Sequence, residues 1–129
     1  MDDLLKQRLD ILEESDQISP EIKIAVIDFA QEFEKKYALI LTEENGSMLI
    51  THLAIALTRI KNGEEINAID ELVLDEVKQS KLYDELPKFY KRLEEQLSIK
   101  IPDSEKGFIA AHACTILSKL QNEGGEKGD

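Results

Sequence analysis

The chain has 129 residues, of which 42% are hydrophobic, and this is enough for one compact domain with a moderate core. Its 27 acidic residues outnumber the 16 Lys and Arg residues, which gives a formal net charge of -11. Such a surface repels the phosphates of nucleic acids and of acidic membranes, so direct binding of DNA, RNA or a membrane is not expected.

The N-terminal segment and the cysteine content indicate the compartment. The chain starts with acidic residues rather than a signal peptide, and no apolar run approaches the roughly 20 residues that cross a bilayer. Cys114 is the only cysteine, which excludes an internal disulfide and fits a reducing compartment. We therefore expect a soluble cytoplasmic protein.

The first two predicted helices cover residues 4–16 and about 20–38. In the first, leucine and isoleucine recur at helical spacing among charged residues. Ser19 and Pro20 mark the start of the second, because serine caps helix N-termini and proline is favoured at the first helical position.

A third helix is predicted to begin after Thr42, whose hydroxyl can cap it, and to end near Asn62 and Gly63. Residues 48–57 within it are apolar nearly all round. This pattern is typical of a helix that is packed on several sides.

The C-terminal half continues the helical pattern. A short fourth helix is predicted over residues 66–77, and a fifth over 82–97, which Pro87 should kink or split. A sixth begins near residues 101–105 and runs to about residue 120.

No segment alternates with the period of a strand, so we expect an all-α bundle of five to six helices. We assign the domain to residues 1–121. Residues 122–129 form an acidic, Gly-rich tail that has nothing to bury, and we expect it to be disordered.

Familiar catalytic and metal-binding motifs are absent from the sequence. It contains no Gly-rich phosphate loop, no Cys-x-x-Cys, no His-Glu-x-x-His and no basic helix-turn-helix. Its many carboxylates are interpreted as solvated helix faces, and its aromatic residues as parts of the core. We therefore predict no catalytic residues, no cofactor and no metal.

Both histidines of the chain lie in apolar, helix-patterned segments, each with a charged residue seven positions away. Arg59 follows His52, and Glu105 precedes His112; because seven residues make about two helical turns, each histidine shares a face with its charged neighbour. Imidazole can exchange a proton, a metal or a phosphoryl group near neutral pH, so this matched pair suggests a switch. Two other interpretations stay open, namely histidines that complete the core and a Zn²⁺ site with acidic ligands.

Two segments carry a family resemblance. Residues 51–63, Thr-His-Leu-Ala-Ile-Ala-Leu-Thr-Arg-Ile-Lys-Asn-Gly, resemble the first histidine motif of the phosphotransferase-system regulation domain (PRD). Residues 101–112, Ile-Pro-Asp-Ser-Glu-Lys-Gly-Phe-Ile-Ala-Ala-His, resemble its second motif, in which a hydrophobic-Pro turn leads to Glu and then His. The resemblance covers about residues 5–120, and the ordered pair of motifs is more specific than either motif alone.

The resemblance implies an all-helical regulatory module whose histidines receive phosphoryl groups from the phosphocarrier HPr or from enzyme II B components of sugar uptake systems. In that family, phosphorylation controls dimer packing and an attached transcriptional output. His52 and His112 match the phosphorylated positions, and Arg59 and Glu105 match the charged positions that support the phosphate or orient the ring.

The chain departs from the family in two ways. Many members carry Asp immediately before the first histidine, whereas Thr51 stands here. Family regulators usually hold two such modules and a nucleic-acid-binding domain, whereas this chain has room for one module. We therefore expect a free-standing module, not an enzyme, that acts through protein contacts and forms a homodimer.

A phosphoryl group adds about two negative charges to an acidic domain, so cations must lie beside it. Arg59 and Lys61 near the first histidine, and Lys106 and Lys119 near the second, are the candidates. Two alternatives to the signalling interpretation stay open: a structural or accessory helical dimer, and a helical bundle that binds a metal or other ligand.

Overall fold

Local capping signals determine where the first three helices begin. The computed structural model describes residues 1–64 and 81–127, with side chains described for residues 1–64 and 83–118. Helix α1 covers Asp3–Glu14, α2 covers Pro20–Tyr37 and α3 covers Glu43–Lys61. The Ser19 hydroxyl accepts a hydrogen bond from the Ile22 N–H, which confirms the predicted cap of α2.

The start of α3 is fixed by a reciprocal pair of hydrogen bonds. The Thr42 hydroxyl accepts from the Asn45 N–H at 3.1 Å, and the Asn45 side chain accepts from the Thr42 N–H at 2.8 Å. At the other end the chain leaves the helix through Gly63, whose φ of +75° suits glycine. Both predicted ends of this helix are confirmed.

The C-terminal half forms three further helices within the described residues. Helix α4 covers Lys81–Glu85, α5 covers Pro87–Leu97 and α6 covers Asp103–Lys127. The break at Leu86 confirms that Pro87 splits the apolar stripe, because proline starts α5 but cannot continue α4. The predicted helix over residues 66–77 lies outside the described residues, and the domain limit at residue 121 stays a prediction.

Helix α3 is the central element of the bundle. It packs against α1, α2 and α6, and a large part of its surface is buried. The all-α fold and the prediction of a helix packed on several sides are confirmed. The aromatic core includes Phe29, Phe33 and Phe89, whose rings contact one another. Phe108, which was assigned to the core, is only half-buried and contacts His52 instead.

Candidate functional site

The packing of α6 against α3 brings His52 next to Glu105. His52 Nε2 and Glu105 Oε1 are 2.8 Å apart, which is a hydrogen bond between side chains 53 positions apart in the chain. The Glu105 side chain is 3% exposed and that of His52 is 32% exposed. The imidazole therefore spans from a buried carboxylate to the surface of the bundle.

Glu105 is the one charged residue that is buried in the described part of the chain. It lies in the first turn of α6, where the Glu105 and Lys106 N–H groups both donate to the Pro102 carbonyl. A carboxylate is favoured at the N-terminus of a helix because it faces the positive end of the helix dipole. The turn at Pro102 thus places the carboxylate against α3.

His112 lies two helical turns after Glu105, and its ring approaches that of His52. The centroids of the two imidazole rings are 5.4 Å apart. The His52 ring also contacts Phe108, with 5.1 Å between the ring centroids. The sequence spacing predicts only that Glu105 shares a helix face with His112. The structure instead joins Glu105 to His52, on a different helix, while keeping both histidines within one cluster.

Both imidazoles open into the same surface depression. It has a volume of about 400 Å³, and its lining includes Thr51, His52 and His112 from two helices, together with Arg8 from α1. A smaller recess of about 90 Å³ on the other side of Met48 is also lined by His112. A group that enters the depression can therefore reach either ring.

The nitrogens of the His52 and His112 rings differ in whether they have a hydrogen-bond partner. Among the described side chains, Thr51 Oγ1 is the buried polar atom that lacks a hydrogen-bond partner. His52 Nδ1 and both ring nitrogens of His112 also lack partners there, but they are not buried, so they reach solvent. Three of the four imidazole nitrogens therefore have no protein partner among the described residues.

Among the described side chains, the cation that lines the depression is Arg8. Its guanidinium forms two 3.1 Å hydrogen bonds from Nε to the Glu43 carboxylate and a further one from a terminal nitrogen. This pairing raises the pKa of Arg8, with burial acting against it, and lowers that of Glu43. The sequence analysis missed Arg8, because it belongs to neither histidine motif and reaches the site only through packing of α1 against α3.

The cations expected from the sequence lie elsewhere. Arg59 is exposed and does not line the depression. Lys61 Nζ donates to the Leu97 carbonyl at 2.6 Å, and Lys106 lies over the Tyr90 ring, 5.8 Å from its centroid. The side chain of Lys119 lies outside the described residues.

A model of the PRD domain family matches residues 27–113, about two thirds of the chain, and includes both histidines. The chain belongs to the PRD family. PRDs are regulatory rather than catalytic domains, and in regulators they interact with components of the phosphotransferase system.

Two curated relatives match most of the chain. One is the uncharacterized protein YhfY of Escherichia coli K12, 28% identical over 119 residues that make up 92% of this chain and 99% of that protein. The other is the probable licABCH operon regulator of Bacillus subtilis 168, 29% identical over 92% of this chain but only 18% of its own length. No solved structure gave a significant match.

The charge state of His112 follows from its position in the PRD module. Burial lowers the pKa of this imidazole, the neighbouring His52 ring lowers it further, and the Glu105 carboxylate opposes both. The lowered pKa favours the neutral His112 ring, in which one nitrogen holds an unshared electron pair.

The described part of the PRD module lacks two other classes of site. No group of three or more His, Cys, Asp and Glu side chains is arranged there to hold a metal ion. None of the helices in that part is both long and apolar enough to cross a membrane.

Proposed function

We propose that this PRD module accepts phosphoryl groups on His52 and His112 from HPr or an enzyme II B component. Through protein contacts it then controls transcription or sugar-linked metabolism. The observation that carries the proposal is that the two imidazoles open into one depression lined by Arg8. An uncharged imidazole nitrogen that is open to solvent is the group that phosphoryl transfer requires.

The proposed switch acts through charge. A phosphoryl group carries about two negative charges and binds guanidinium groups well, so it competes with Glu43 for Arg8. The Arg8–Glu43 pair joins α1 to the first turn of α3, and loosening it changes the surface formed by these helices. We also propose Arg59, an exposed cation two helical turns after His52 on α3, as a phosphate-supporting residue, and Glu105 as the residue that orients His52.

We further propose that the surface around the depression forms a homodimer. Leu4 and Ile11 flank Arg8 on α1, Met48 lies between the two recesses beside His112, and all three side chains are more than half exposed. Exposed apolar side chains clustered in this way are typical of a protein interface. Phosphorylation at such a surface sets like charges against each other across the interface and weakens it.

The same proposal covers the remaining properties of the module. It is a non-enzymatic, cytoplasmic protein that works without direct contact to nucleic acid, which fits its net charge of -11.

The test is phosphorylation of purified protein by phosphorylated HPr and, separately, by phosphorylated enzyme II B components. We expect label on the wild type, loss of the His52 label in His52→Gln and loss of the His112 label in His112→Gln. Glutamine suits His52 because its amide can donate to Glu105 as the ring does. Unlabelled wild-type protein with every donor would overturn the phosphorylation proposal.

A second candidate function is a structural helical dimer in which the histidines serve packing alone. The His52–Glu105 hydrogen bond favours it, because this bond joins α3 to α6. Phosphorylation of the wild-type protein separates the two functions, because a purely structural dimer stays unlabelled with every donor. Replacement of His52 in such a dimer lowers only the melting temperature. The metal-binding alternative gains no support from the described side chains, and a rise in melting temperature with Zn²⁺ would revive it.

A further inference from the structure

The two nitrogens of His52 have different environments. Nε2 faces the buried Glu105 carboxylate at 2.8 Å, whereas Nδ1 has no hydrogen-bond partner among the described residues and reaches solvent. An ionised carboxylate can only accept a hydrogen bond, so the proton of the neutral ring must lie on Nε2. The unshared electron pair then lies on Nδ1.

We infer that Glu105 is a positioning residue that directs phosphorylation of His52 to Nδ1. The inference rests on the proposed phosphorylation, and it adds which atom reacts and why. Of the two ring nitrogens, Nδ1 alone combines an available electron pair with the absence of a hydrogen-bond partner among the described residues. Phosphorylation at Nε2 would require the ring to give up the hydrogen bond to a carboxylate that is 3% exposed, and this leaves a buried charge without its partner.

The transfer step balances without any further reactant. The Nδ1 electron pair forms the new N–P bond, the N–P bond of the donor phosphohistidine breaks, and its electron pair returns to the donor ring. A proton on the other nitrogen of the donor ring keeps the departing imidazole neutral. His52 keeps its proton on Nε2, so the phosphorylated ring gains a positive charge that the Glu105 carboxylate stabilises across the existing hydrogen bond.

His112 completes the arrangement from the other side of the depression. Its ring centroid is 5.4 Å from that of His52, and its nitrogens have no protein partner among the described residues. Within residues 1–64 and 83–118, no carboxylate hydrogen-bonds to His112, because Glu105 bonds to His52. The inference therefore gives the two histidines different behaviour: one defined product at His52 and no imposed preference at His112.

The experiment uses the full chain with ¹⁵N-labelled histidine and two phosphoryl donors. Long-range ¹H–¹⁵N spectra of the unmodified protein at mildly alkaline pH show which ring nitrogen carries the proton. The protein is then treated with phosphoramidate, whose N–P bond breaks to release ammonia, and separately with phosphorylated HPr. Coupling between phosphorus and nitrogen identifies the modified atom.

We expect the Nε2–H form of His52 before reaction and the Nδ1 product after it. A proton on Nδ1, or a product mainly on Nε2, would overturn the inference. Label from phosphoramidate on Nδ1 with none from HPr would contradict the proposed donor and leave the inference intact. Label from HPr on Nε2 would support the proposed donor and overturn the inference.

Variants test whether Glu105 is responsible. Glu105→Met keeps the length of the side chain and removes the acceptor, so we expect a mixture of Nδ1 and Nε2 products at His52. Glu44→Gln removes a carboxylate charge from an exposed position on α3 and should leave the product on Nδ1. An unchanged Nδ1 product in Glu105→Met would overturn the role of Glu105, and if this variant failed to fold, the wild-type spectra alone would decide.

Discussion

His52 on α3 and Glu105 on α6 are joined by a 2.8 Å hydrogen bond whose acidic partner is buried and whose imidazole reaches the surface. The pair has two consequences. It connects two helices of the bundle, and it determines which side of the imidazole remains available. Substitutions at this pair therefore separate stability from chemistry.

Replacing His52 should lower the stability of the fold, because the buried Glu105 carboxylate then lacks its hydrogen-bond partner. In His52→Ala, Glu105 loses its hydrogen bond while it stays buried, so we expect the free energy of unfolding to fall by about 1–3 kcal/mol. His52→Gln should lose less, because its amide can still donate. Denaturant titration of both variants measures this, and equal stability of His52→Ala and wild type would mean that the bond contributes nothing.

His112 should behave in the opposite way. Its ring nitrogens have no protein partner among the described residues and it is only half-buried, so His112→Ala should change the free energy of unfolding by less than about 1 kcal/mol. Its phosphorylation, in contrast, should be lost. The same denaturant titration checks the first expectation, and a loss of stability as large as that of His52→Ala would assign His112 to the core.

The lowered pKa of His112 predicts a dependence of stability on pH. The unfolded chain binds a proton on this histidine near its ordinary pKa of 6.5, whereas the folded chain binds it only at lower pH. Between these values the unfolded state holds more protons, so the free energy of unfolding should fall as pH is lowered through this range.

The pH effect can be assigned by comparison with His112→Gln, which cannot titrate. The stability of wild type relative to this variant should be constant well above pH 6.5 and decline below it. Parallel curves for the two proteins across this range would show that another group causes the effect.

Arg8 is expected to support phosphorylation from outside both histidine motifs. Arg8→Gln removes the cation that lines the depression, and a contact of this kind at an exposed site is worth roughly 1 kcal/mol, so labelling should slow by about fivefold. Arg92→Gln is a matched control, because Arg92 also pairs with a carboxylate, that of Asp28, but does not line the depression. Equal rates in the two variants would remove Arg8 from the mechanism.

Features that depend on neighbouring residues in the chain could be predicted from the sequence. The cap at Ser19, the cap at Thr42, the end of α3 at Gly63 and the break at Pro87 each arise within a few residues. The two histidine motifs are local as well. The family match over residues 27–113 confirms the PRD resemblance that these motifs indicate. Local rules therefore gave the helices and the candidate histidines.

The arrangement of the site could not be predicted in the same way. Helical spacing places Glu105 on the face of His112, but it carries no information on which side chain of α3 lies opposite. The Glu105–His52 bond and the approach of Arg8 both depend on how α1, α3 and α6 pack. The sequence therefore does not identify Arg8 as part of the site.

The most direct measurement is peptide mass spectrometry of the wild-type protein after incubation with phosphorylated HPr or enzyme II B components, under conditions that preserve phosphohistidine. The account predicts a phosphoryl group on the peptides that contain His52 and His112, and none in the His52→Gln/His112→Gln double variant. Unmodified histidines with all donors, or equal label in the double variant, would contradict it.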